Sequence, residues 1–134
     1  MRYAATLRGL YAPYLVSTGI WSLAHRGSFE RVTGPKDDYW LVQTVGALAI
    51  AIGTSLGIAA RRRTQEPETV ALAAASCAAF GLASVRAAQT ESRVYLGDAA
   101  LEIAFLAAWL EPVLKRALAA QSNNSSEKTT GRHG

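Results

Sequence analysis

The chain has 134 residues, half of them hydrophobic, and a formal net charge of +4. That length fits one domain, and its Ala, Leu, Val and Ile are gathered into long uncharged runs instead of being scattered with a period of two or 3.6. A soluble globular domain and a nucleic-acid module are both disfavoured, because the basic residues cluster between the runs.

The first run, Gly9 to Ala24, extends back toward Tyr3 if the Arg8 side chain reaches out to the interface. It predicts a helix near 4–24, bent at Pro13, which removes one backbone donor. Tyr11, Tyr14, Ser17 and Thr18 make it the most polar of the runs. A basic start and Ser22-Leu23-Ala24 imitate a cleavable signal, but Pro13 and the bulky Trp21 argue for a retained helix.

A loop over 25–38 follows, with a turn at Gly34-Pro35 and Asp37 or Asp38 as the cap of the next helix. The stretch Tyr39 to Ala60 holds no charge over 22 residues, which is about 33 Å of helix and enough to cross a bilayer core. This second helix, near 38–60, carries Ala49, Gly53 and Gly57 at four-residue spacing. Such a stripe lets another helix approach closely, and packing within the bundle is favoured over a seam between two copies.

Thr69 to Val85 predicts a third, Ala-rich helix near 69–88. Its lone Cys77 reads as a small packing residue, since no disulfide partner exists. A fourth helix is predicted near 92–116. Starting it at Ala99 would leave about 24 Å, short of a hydrocarbon core, so a start near Ser92 is preferred. Asp98 and Glu102 then lie about 9 and 15 Å inside the helix, on one face with Phe105 and Trp109. Residues 119–134 are polar, without periodicity, and predict a disordered tail.

The fold class expected is an all-α, four-helix transmembrane bundle over residues 1–118. With both termini on one side, nine Lys and Arg fall there against five on the other, so the positive-inside rule places the termini and Arg61–Arg63 in the cytoplasm. Trp21, Tyr39, Trp40 and Tyr95 then mark the outer interface, and Trp109 the inner one.

Charge in an apolar span should face the bundle interior with a partner. In the antiparallel arrangement Arg86, Gln43, Thr18 and His25 fall at the height of Asp98 and Glu102, which predicts a polar pocket in the outer half of the bundle. Such a pocket suits a proton site, an acid/base pair or a grip on a lipid or small ligand. The simpler possibility is an Arg86–Asp98 pair that fixes helix register. No phosphate-binding loop, HExxH or paired-cysteine motif is present, so no catalytic residue, cofactor or metal is expected.

The runs Gly34, Pro35, Lys36, Asp38, Trp40 to Val42 and Thr44 to Gly46, with Tyr95, Leu96, Asp98 and Glu102, resemble a pattern in small bacterial four-span membrane proteins of unassigned function. The resemblance covers under a third of the chain. It implies a four-helix membrane fold and makes the two carboxylates part of a pattern, but it supplies no activity. The function expected is a non-enzymatic scaffold or partner subunit in a bacterial inner membrane, in contact with lipids and with a second copy or another membrane protein. The alternative is a lipid- or small-ligand-binding bundle, with acid/base isomerase chemistry as its extreme form.

Overall fold

The computed structural model describes residues 2–62 and 66–130, with side chains over 3–62 and 66–122. Among the described residues the chain forms five α-helices and no strands: α1 Arg2–Ala24, α2 Arg26–Thr33, α3 Tyr39–Arg61, α4 Pro67–Thr90 and α5 Val94–Thr130. The four long helices lie near their expected positions. Two of them, α3 and α4, are long and apolar enough to cross a membrane; α1 and α5 do not meet that measure.

Three features depart from expectation. Within the segment expected to be a loop at 25–38 the chain folds into α2, an amphipathic helix of about two turns that ends at Gly34, whose φ of 92° favours glycine. α5 continues past the expected end near 116 to Thr130, with the last four residues of the expected tail, 131–134, outside the described residues. Arg63, part of the expected cytoplasmic cluster, also lies outside them.

The long helices form a ring in the order α3, α1, α5, α4. Packing of α3 on α1 and of α4 on α5 is extensive, α1 on α5 moderate, and α3 touches α4 at only a few points. Glycine explains the tight pair. A Cβ on Gly19 would lie 2.5 Å from the Gly46 carbonyl oxygen, and one on Gly53 would lie 2.8 Å from that of Ala12. Both distances are impossible for real atoms, so α1 and α3 meet backbone to backbone. Ala49 and Gly53 are buried in this contact and Gly57 is half-buried beside the Ala12 methyl. That face of α3 is therefore occupied within the chain.

Between the four long helices Tyr11, Leu15, Leu56, Cys77, Phe105 and Trp109 form the core. Trp109 is buried there, 7 % exposed, instead of marking an interface. Its place follows from the helical spacing that aligns it with Phe105. Pro112 in α5 has no N–H, which deprives the Ala108 carbonyl of its helical donor. Arg8 of α1 donates to that carbonyl at 3.0 Å. A charge in an apolar helix and a proline in its neighbour thus satisfy each other.

Candidate functional site

α5 begins at Val94, so Asp98 falls in its second turn and Glu102 one turn deeper, as the longer-helix reading requires. Both face inward. Glu102 is 1 % exposed, and it fits because α4 presents Gly81 to it: a Cβ there would come within 3.2 Å of the Glu102 Cβ. Asp98 is half-buried. Tyr14 of α1 donates its hydroxyl to Asp98 Oδ1, and Ser84 of α4 donates to Oδ2. One carboxylate therefore joins three of the four long helices.

Three deeper polar atoms are different. Glu102 Oε2, the neighbouring buried Tyr11 hydroxyl and the Trp109 indole nitrogen make no well-formed hydrogen bond, although the Tyr11 hydroxyl and the Cys77 thiol lie beside the Glu102 carboxyl. Tyr11 and Phe105 pack with ring centroids 4.9 Å apart, which positions that hydroxyl in the core.

Above the carboxylates lies a cavity of about 680 Å³. Asp98, Glu102, Tyr14 and Ser84 line its inner end, and Phe80, Ala83, Leu41, Val45 and Leu101 are among its apolar walls. Leu41, Val45 and Ala83 are exposed, so the cavity opens sideways between α3 and α4, where the ring is weakest. Its size is that of a small-molecule pocket, for which volumes of about 300–1,000 Å³ are usual.

α2 covers the outer end through Phe29, Val32 and Thr33. Trp21 holds it by an edge-on contact with Phe29 and by a hydrogen bond from its indole to Ser28 Oγ at 2.9 Å. The following turn is clasped by Lys36, whose ammonium donates to Glu91 Oε2 at 2.5 Å and to the Thr33 carbonyl at 3.1 Å. Burial alone would lower the Lys36 pKa; the bond to Glu91, with help from Tyr95, more than offsets this and holds it above the ordinary lysine value. Glu30, on the outside of α2, is held below the usual carboxylate range by its hydrogen bond from Arg26.

Of the residues expected in the polar pocket, Asp98, Glu102 and Thr18 line the cavity. Thr18 spends its hydroxyl on its own helix, donating to the Tyr14 carbonyl at 2.8 Å. Arg86, Gln43 and His25 are exposed and do not line it. Asp98 takes hydroxyl donors in place of the expected Arg86, because Ser84 and not Arg86 falls on the buried α4 stripe with Cys77 and Gly81. Rotation about the helix axis turns both Arg86 and Gln43 outward. Tyr14 and Ser84 were the partners that went unrecognised. The signal for Tyr14 was the unusual polarity of its helix; for Ser84, the spacing that continues 77, 81, 84.

No family model, no curated protein and no solved structure matches this chain.

Proposed function

We propose that the protein is a four-span bundle of the inner (cytoplasmic) membrane, with both termini cytoplasmic, that binds one amphiphilic molecule between α3 and α4. The observation that carries this reading is the 680 Å³ cavity with apolar walls, an opening at the exposed seam, and a fully buried Glu102 at its inner end whose Oε2 lacks a well-formed hydrogen bond. A buried acid whose bonds to Tyr11 and Cys77 are poorly formed is costly, and a polar group entering the cavity would lower that cost.

Support for spanning comes from what each helix turns outward. Leu10 and Ile20 on α1, Leu48 on α3, Leu82 on α4, and Ile103 and Leu114 on α5 are all about half or more exposed, so every long helix presents large apolar side chains. Arg8 and Tyr14 of α1 and Asp98 of α5, which lower the apolarity of these helices, are spent inward, Arg8 on the Ala108 carbonyl and Tyr14 on Asp98. Kinship with the small four-span proteins that the chain resembles belongs to the same proposal.

Native mass spectrometry of the purified protein tests it. The wild type should carry a co-purifying small molecule or lipid, and Ala83→Phe, which places a ring at the mouth of the cavity, should lose it. Protein that is bare in both samples would return the carboxylates to a structural role and favour a scaffold or partner subunit. Orientation is read separately from cysteines introduced at Ser28 and Arg62: an impermeant thiol reagent applied to intact cells should label the first alone.

A further inference from the structure

The charge around the cavity narrows the class of molecule it takes. We infer that the ligand is a lipophilic cation, a protonated amine on an apolar body, with its ammonium group between Asp98 and Glu102. This rests on the binding reading above and specifies its chemistry.

Both oxygens of Asp98 are acceptors, one from the Tyr14 hydroxyl and one from that of Ser84. Two hydroxyl donors favour the ionised form of this carboxylate, which has acceptor sites only. An ionised carboxylate in apolar surroundings calls for a cation. Among the described residues, no Lys, Arg or His side chain lines the cavity. Each nearby base is engaged elsewhere or turned away: Lys36 with Glu91, Arg26 with Glu30 and over the Tyr39 ring, Arg86 and Arg93 outward.

Asp98 accepting from two hydroxyls still has lone pairs free, and Glu102, which lines the cavity with it, has an Oε2 without a well-formed hydrogen bond. An ammonium group has three donors and suits that set, as a carboxylic acid head does not. A bare metal cation fits less well, because the remaining walls are apolar and the volume is many times that of an ion. An alcohol would satisfy hydrogen bonding but leave the charge of Asp98 uncompensated. The aromatic rings of Phe80 and Phe29 lie among the walls for the apolar body.

The test is a titration of the full chain in detergent, read by native mass spectrometry, with decylamine, decanol and decanoic acid. These three share an apolar body and differ in head group. Decylamine should bind about ten- to a hundredfold tighter than decanol, the factor that a hydrogen bond to a charged group corresponds to. In Asp98→Asn the amine preference should disappear while decanol binding persists, and in Ala83→Phe all three should be lost. Should Asp98→Asn fail to fold, Glu102→Gln serves as the second variant, and the wild-type order alone decides the head group. Equal binding of amine and alcohol, or tightest binding of the acid, would overturn the cation inference and leave the binding site standing. Absence of binding by all three would overturn both.

Discussion

Along α3 one face meets α1 through Gly46, Ala49 and Gly53, while the side toward α4 carries Leu41 and Val45. The first contact is closed to the point that no Cβ fits at Gly19, Gly46 or Gly53. The second leaves Leu41 and Val45 exposed beside an open cavity. In lipid the hydrophobic effect does not pull helices together, so close packing depends on small residues that let backbones touch. Where α3 has them its backbone meets α1; where it carries Leu41 and Val45 a cavity lies beside it.

Substitutions that exchange these two characters should separate them. Gly19→Val drives a side chain into the Gly46 carbonyl and Ile50, and should cost about 3 kcal/mol or abolish folding, as read by thermal unfolding in detergent. Gly9→Ala, with nothing within 4 Å, should leave stability unchanged or raise it. Leu56→Ala empties a site 2 % exposed and should cost about 2 kcal/mol, whereas Leu41→Ala at the open seam should stay within about 0.5 kcal/mol. Equal losses at the two leucines would mean that the seam is as closed as the core.

Tyr14→Phe removes a donor to Asp98 and should cost about 1.5 kcal/mol, with a matching change in ligand binding that Thr18→Val does not share. Lys36→Met releases the turn that follows α2 and should cost no more than about 0.5–1 kcal/mol. Because folding raises the Lys36 pKa, its contribution is complete below the ordinary lysine pKa and fades as pH rises through the raised value. Wild type and Lys36→Met should therefore converge in stability in strong alkali and differ at neutral pH.

The long helices were legible because uncharged runs and Gly-Pro punctuation report length and ends. The inward face of α5 was legible because Asp98, Glu102, Phe105 and Trp109 share one helical stripe. α2 was not: in RGSFERVT only Phe29 and Val32 are large and apolar, too few for a helical period to stand out. Partners across helices were harder still. Asp98 and Arg86 match in charge and height, but pairing depends on rotation about each axis, which is set by where Gly81 and Ser84 meet α5. Burial of Trp109 was hidden for a related reason, since an aromatic near a helix end satisfies the interfacial pattern and the core pattern equally.

The contrast between the closed and open faces of α3 can be measured in a bilayer. Spin labels at Thr44 and Leu82 report the α3–α4 distance, and labels at Ile20 and Thr44 report α1–α3; all three residues are exposed, and Cys77→Ala removes the one native thiol. Double electron–electron resonance in lipid nanodiscs should give a narrow α1–α3 distribution that decylamine leaves alone. The α3–α4 distribution should be broader and should narrow on adding the amine. Two equally narrow distributions, both indifferent to the amine, would mean that α3 and α4 close on each other in the membrane and that no site lies between them.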